Sequence, residues 1–440
     1  MTKKMMHLGA LVSGAGSHVG GWRMPEAEFG AMNFEHIQRT VQTAERGKFD
    51  FAFFADAVAT NRSLAPTFIV RLEPITMLSA LSMTTSHIGL VATVSTTYSQ
   101  PYNVARLLGS VDHLSKGRAG WNVVTSTDNG SAENFGHEPH PDHSLRYDRA
   151  EEYVAVVQKL WDSVEDDAVV GDKESGVYVD TDKMHDIDFQ GKFYSVKGPL
   201  NMVRPPQGYP VTFQAGASDR GIAFAGATAE VIFTAQQTQE EALEFGRKVR
   251  EAAEAAGRSR DSVRILCGVC PIVGSTREEA LSIVSRLGEL TDPEAAMRTL
   301  IDRIGYDLNQ YPLDEPLPDL ELVSSGSVGH ARQLISLVKR EKLTLRQLRD
   351  VGAMSSGHRL LLGTAEEIAD DLESWFASGA ADGFAILNPY LPQPLERFVD
   401  EVVPILTKRG LFRGDYENAT LRGHLGLPLP SSSLHTQLLG

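Results

Sequence analysis

Cysteine is nearly missing from this chain, with 2 in 440 residues. That leaves no disulfide framework and fits a reducing compartment. No apolar run of roughly 18 residues or more occurs, so no membrane-spanning helix is expected. Positive charge is also scarce: 42 Lys+Arg stand against 57 Asp+Glu, a formal net charge of −15. A main partner that is nucleic acid or an anionic membrane needs concentrated positive charge, so neither is expected. Dinucleotide-binding, P-loop, nucleophile-elbow and H-E-x-x-H signatures are all absent. What is present is ordinary for a globular protein, 42% hydrophobic and 22% charged residues, which excludes wholesale disorder. Composition therefore points to a soluble, acidic, cytoplasmic protein.

Two local features invite readings that the residues do not support. The opening MTKKMMHLGALV sets lysines before an apolar stretch, as a signal peptide does. The stretch is short, contains His7 and runs into the loop Ser13–Ser17, so it reads as a first strand. Cys267 and Cys270 form a C-x-x-C inside a β-rich run with no second pair. On a strand, residues three apart face opposite ways, which separates the thiols and favours a structural role.

Short β-branched or aromatic runs recur along the chain at Met6–Val12, Phe51–Ala55, Ile88–Ser95, Ala119–Thr125, Val211–Ala215, Val231–Thr234, Ile265–Val273 and Gly383–Leu387. Amphipathic stretches alternate with them, among them Phe34–Lys48, Pro74–Thr84, Tyr102–Leu114, Arg146–Trp161, Arg220–Ala227, Gln239–Ala256, Arg277–Leu287 and Ala365–Ala377. Strands alternating with helices call for a parallel sheet with right-handed crossovers. Near-continuously apolar strands of this number match a closed (β/α)8 TIM barrel. The expectation is one domain over 1–440 with insertions near 127–210 and 275–382. The C-terminal tail, 410–440, has little periodicity and is expected to wrap the surface or a partner.

In such a barrel the chemistry lies at the C-terminal ends of the strands. Several strands here end in polar residues: Asp56 after the second, Thr93 on the third, Asn122 on the fourth and Ser218 after the fifth. Together they would ring one mouth of the barrel. Two segments suit an anion. The run from Gly216 to Gly221 opens a small-residue helix with Ser218 as candidate cap, and a helix start offers free N–H groups. His143 and Tyr147 stand at the start of a second helix, whose buried face is expected from Tyr153, Val154, Val157, Leu160 and Trp161. His137, His140 and His143 have a metal-like spacing. Pro139 and Pro141 break any helix there, so no metal site is expected.

The strings AERGKFDFAFFAD (44–56), TVSTTYSQPYNVARLLGSVDHLSKGRAGWNVVTS (93–126), RYDRAEEY (146–153), LWDS (160–163) and FQAGASDRG (213–221) resemble the flavin-dependent monooxygenases of the bacterial-luciferase superfamily. More narrowly they are similar to the branch with nitrilotriacetate, dibenzothiophene-sulfone and long-chain alkane monooxygenases. LGTAEEIADDLESW (362–375) and TLRGHLGLPLP (420–430) carry the likeness to the end of the chain.

The resemblance implies a barrel that holds reduced FMN, supplied by a separate NAD(P)H:flavin reductase. It implies a reaction of that flavin with O2 at C4a, giving a hydroperoxide that oxygenates a small organic substrate. Positions matching Asp56, Thr93, His143, Tyr147 and Ser218 contact FMN in the family, the last three toward its phosphate. Asn122 matches a position beside the isoalloxazine ring. His18 corresponds to a loop histidine near the reactive edge, where imidazole could relay a proton. His330 and His358 are weaker candidates for substrate contacts. The family also implies a homodimer or homotetramer. The substrate stays open among amino-polycarboxylates, sulfones or sulfides, alkanes and N-acetylated thiol metabolites. Two other readings stay open beside it: a flavin-binding protein without oxygenase activity, and a user of the deazaflavin F420. One feature departs from the generic barrel, whose phosphate site follows strands seven and eight, whereas the anion signals here follow strands four and five.

Overall fold

The fold is described from a computed structural model covering residues 4–28, 30–60, 69–126, 129–136, 140–305, 307–320, 328–355 and 357–432. Eight parallel strands close into a barrel: β1 (His7–Leu11), β2 (Phe51–Phe54), β3 (Gly89–Ser95), β4 (Ala119–Val124), β5 (Val211–Gln214), β6 (Val231–Thr234), β7 (Arg264–Val273) and β8 (Gly383–Ile386). Each strand pairs with the next, and β8 pairs back onto β1 with Phe384 opposite Leu8. β7 is longer than its neighbours. Its outer half pairs with a ninth strand, Arg359–Gly363, which raises the rim on that side only.

The alternation along each strand sorts side chains into two layers. Phe51, Phe53, Val91, Val211, Phe213, Val231 and Leu266 point into the barrel. Leu8, Ala52, Phe54, Leu90, Ala92 and Trp121 point out toward the helices. Gly9 has no side chain because the Phe51 ring lies 2.3 Å from where its Cβ would stand. Crossover helices start where the sequence supplies caps. Thr238, Thr276 and Thr364 each accept an N–H from the first turn with two glutamates beside it. Carboxylates there also suit the positive end of the helix dipole. The helix begun by RYDRAEEY runs from His143 to Asp162, one turn earlier than its apolar pattern suggests. Its expected face is buried in full, Tyr153, Val154, Val157, Leu160 and Trp161 all at 2% exposure or less.

The C-terminal segment corrects the expectation of a surface wrap. Leu421, Leu425 and Leu427 are buried against Phe51, Phe213 and Leu266 and close the barrel at its N-terminal end. Arginines fix the segment in place. Arg413 pairs with the fully buried Asp50, which also accepts from Leu8 N–H at 2.7 Å and contacts His7 at 3.1 Å. Arg422 pairs with Glu230 and donates to the Tyr209 carbonyl at 3.0 Å. Burial disfavours the Asp50 carboxylate, but Arg413 and His7 outweigh it and hold the carboxyl below its ordinary range.

The two cysteines are buried, free and on opposite sides of β7. Cys267 lies in the outer layer and Cys270 beside Ser17. Burial pushes both thiols up to about 12, so neither is a thiolate at neutral pH. Among the described residues no helix is long and apolar enough to cross a membrane.

Candidate active site

The C-terminal mouth of the barrel opens into a cavity of about 470 Å3. Its floor is apolar, with Leu11, Phe53, Phe233 and Leu387, and its polar residues include Asp56, Thr93, Asn122, Arg71, Arg303 and His358. A second cavity of about 270 Å3 adjoins it, sharing Asp56, Val124 and Ala215 and adding Tyr147, Gln214 and Gly216. The two form one bent site.

Thr93 and Asn122 come together as neighbours in register on β3 and β4. Asn122 Nδ2 donates to Thr93 Oγ1 at 2.9 Å, and both residues are buried. Among the described residues Asn122 Oδ1 has no hydrogen-bond partner, and neither has Gln214 Oε1 at the end of β5. An unsatisfied buried acceptor costs free energy comparable to a lost hydrogen bond, so two of them lining one site suit a ligand with N–H or O–H groups. Asp56 lies between the two cavities. Burial raises its carboxyl above the ordinary value, against the Ala57 N–H and the Arg71 charge, which pull it down.

The second cavity ends at the start of the helix Asp219–Thr228. Ser218 caps that helix, its Oγ accepting from Gly221 N–H at 3.1 Å. The buried Tyr147 hydroxyl reaches Ser218 and Thr125. A Cβ on Gly221 would sit 3.0 Å from that hydroxyl, so glycine is what lets the backbone come this close. The His143 ring packs 4.9 Å from the Tyr147 ring, while neither His143 nor Ser218 is itself among the residues lining the cavity. Partial burial lowers the His143 pKa, and Arg146 and Arg220 lower it further, which marks the surroundings as positive. Helix N–H groups, hydroxyls and nearby guanidinium groups are the donor set a phosphate needs.

His18 stands apart from this group. It is 1% exposed, and the cavity wall carries its neighbour Ser17 in its place. Its Nδ1 accepts from Gly20 N–H at 2.9 Å, which assigns the ring hydrogen to Nε2. Burial lowers its pKa to about 4, so the imidazole is neutral at pH 7.

Of the histidine trio, His137 lies outside the described residues. His140 bonds the Tyr98 hydroxyl at 2.5 Å and contacts Arg146. Among the described residues no three His, Cys, Asp or Glu side chains converge on a metal position. His330 lies on the helix Val328–Glu341, with its side chain outside what is described. His358 does line the main cavity, its ring tilted against Phe233 at 5.1 Å, and Gly268 leaves room for it. Gln214, Arg71 and Arg303 are among the polar lining residues that the sequence reading passed over. Gln214 ends an apolar strand in the same way as the residues chosen, so the strand-end rule could have found it.

Comparison with known proteins agrees with this arrangement. The family model described as luciferase-like monooxygenase matches residues 11–382. The chain is 46% identical to N-acetyl-S-(2-succino)cysteine monooxygenase of Bacillus subtilis (strain 168), over 97% of this chain and 98% of the relative. It is 45% identical to nitrilotriacetate monooxygenase component A of Aminobacter aminovorans, over 98% of each. The crystal structure of DmoA from Hyphomicrobium sulfonivorans superposes with a TM-score of 0.89 at 35% identity, covering 99% of this chain and 96% of that one. The chain belongs to the luciferase-like monooxygenase family. It is a flavin-dependent monooxygenase, working with reduced flavin and O2.

Proposed function

We propose that this protein is the oxygenase component of a two-component system. It takes reduced FMN from a separate NAD(P)H:flavin reductase and places one atom of O2 in a small organic substrate. The observation that carries FMN is the bent site itself. The main limb offers the amide oxygen of Asn122; the adjoining limb offers that of Gln214 and is lined by Tyr147 and Gly216 beside the helix start that Ser218 caps, with the His143 ring packed on Tyr147. A ring system with N–H groups at one end and a phosphate at the other fits both limbs.

Bound there, the reduced flavin supplies the activation of O2, which no side chain can. The protein's part is to orient and to exclude water. Asn122, with its amide tied to Thr93, and Gln214 would hold the ring by its N–H edges. Asp56, at the bend, would accept from the ring or the ribityl chain. Ser218, Tyr147 and His143 would hold the phosphate. For His18 we propose a positioning part: its neutral ring, braced by Gly20, sets the loop that puts Ser17 on the wall. The insertions near 127–210 and 275–382 would shape substrate access within one domain, and the protein would work in the cytoplasm as a homodimer or homotetramer.

The test is a turnover assay with the full chain, a generic flavin reductase, NADH, FMN and labelled O2. The substrate panel covers nitrilotriacetate, sulfides, sulfones and alkanes. One labelled oxygen in a product, dependent on FMN, is the expected result. Flavin binding with peroxide as the sole product across the panel would leave only the binding function.

A further inference from the structure

Adjacent residues of a strand face opposite sides of it, so a cavity lined by both must pass over the strand's end. The main cavity does this twice. Leu11 and Phe53 pack with the inward cluster, whereas Val12 and Phe54 belong to the outer layer, and all four line the cavity. From the barrel mouth it therefore crosses the ends of β1 and β2 into the layer between strands and helices. Ile37 of the helix Phe34–Arg46 lines that lobe, as do Leu72 and then Pro74 and Met77 of the helix Pro74–Ser82. With Val12 and Phe54 these make six apolar side chains, and the second cavity shares none of them. Small residues meet above the lobe. Gly14 and Ala31 both line the cavity, and a Cβ on Gly14 would stand 3.1 Å from Ala31. The buried His36 braces this contact, with Nε2 2.9 Å from the Gly14 carbonyl and Nδ1 3.1 Å from Glu28. Val70, two positions before Leu72, also lines the cavity and is 53% exposed, so the lobe reaches solvent there.

We propose that this lobe is a holding site and passage for dioxygen, leading from the Val70 side to the flavin ring at Asn122. Protein interiors are close-packed, so an unfilled apolar lobe beside a reaction site is a feature to be explained. Water and polar solutes lose hydrogen bonds on entering such a space, and apolar cavities stay dry while taking small apolar guests such as xenon. Dioxygen is a guest of that kind, and this enzyme consumes it. The lobe thus admits O2 to a site from which water is shut out. An apolar arm of the organic substrate offers the lobe the same chemistry. Dioxygen is favoured because the lobe turns away over the strand ends and has its own opening, so a gas can enter while flavin and substrate fill the mouth. The destination rests on the flavin reading of the bent site, whereas occupancy of the lobe does not.

Crystals of the flavin-free full chain are pressurised with xenon, and the chain loaded with reduced FMN is mixed with O2 in a stopped-flow instrument that follows flavin reoxidation. Xenon is expected between Ile37 and Met77. Ile37→Phe and Met77→Phe fill the lobe and should displace it. Both should also slow reoxidation roughly tenfold, equivalent to about 1.4 kcal/mol on the barrier to entry, with FMN affinity by fluorescence unchanged. Met77→Ala widens the lobe and should raise xenon occupancy without slowing reoxidation, which decides the matter even where overpacking unfolds the filled variants. The proposal is overturned by a wild-type lobe without xenon, by filled variants that reoxidise at the wild-type rate, or by slower reoxidation in Met77→Ala. A matching fall in FMN affinity overturns it too, by assigning the lobe to the flavin. Filled variants that weaken only the binding of an organic substrate give the lobe to that substrate's apolar arm instead. Slowed reoxidation without labelled oxygen in any product leaves the passage standing and sinks the oxygenase reading.

Discussion

Asn122 Nδ2 donates to Thr93 Oγ1 at 2.9 Å across the β3–β4 register. The bond fixes the amide plane of a buried residue and leaves its oxygen as the group presented to a ligand. Asn122→Ala removes both the brace and the acceptor. FMN affinity should fall by roughly tenfold or more, since a hydrogen bond from a buried partner contributes about 1–3 kcal/mol when its loss leaves a group unsatisfied. Fluorescence titration measures it, and unchanged affinity removes Asn122 from the site. Gln214→Ala should act in the same direction.

Ser218 does two jobs that can be separated. As helix cap its loss in Ser218→Ala should lower stability by about 1 kcal/mol, seen in urea unfolding of the apoprotein. As a phosphate neighbour its loss should weaken FMN and leave riboflavin, which has no phosphate, nearly untouched. Equal effects on the two ligands would confine Ser218 to capping. Asp56→Ala, at the bend, should weaken both ligands alike.

His18 titrates at about 4 in the fold, against about 6.5 when exposed. The unfolded chain therefore binds the extra proton between those values, and stability falls as pH drops through that window. The full difference is on the order of 3 kcal/mol. His18→Gln should flatten the acid limb of the stability curve between about pH 6.5 and 4 relative to wild type; parallel curves would refute the buried neutral assignment. His18→Ala should keep FMN but divert turnover from oxygenated product to peroxide. Wild-type coupling in that variant would end its positioning part.

Leu421 is fully buried inside the barrel floor. Leu421→Ala should cost about 2–5 kcal/mol, the range for deleting a core leucine. A loss below about 1 kcal/mol would mean that the floor closes without it.

Much of the barrel was legible because each strand is a short apolar run bounded by turns and followed by an amphipathic helix. Strand ends then pointed to Asp56, Thr93 and Asn122, which need only the rule that one end of the barrel does the chemistry. The tail was opaque for a different reason. TLRGHLGLPLP has neither helical nor strand period, and its leucines are buried because inward residues of five different strands leave room for them, a fact spread over the whole chain. Arg303 and His358 reach the mouth along the path of a long insertion, and no local pattern encodes that path. A loop histidine such as His18 is most often exposed; only its bonds to Gly20 and Pro389 and its burial show it to be enclosed.

The seam between β1 and β8 joins His7 to Gly383, and the floor needs Leu421 and Leu425 besides. During synthesis the first strand therefore waits for almost the whole chain before its second edge is covered. Such distant pairings are slow to form and leave sticky edges exposed meanwhile. The ribosome delivers the floor segment only after every barrel strand, so a released chain that ends between 390 and 420 would have all eight strands but no floor for its apolar lumen. Such exposed apolar surface is what chaperones bind, so their co-expression should raise the yield of folded protein.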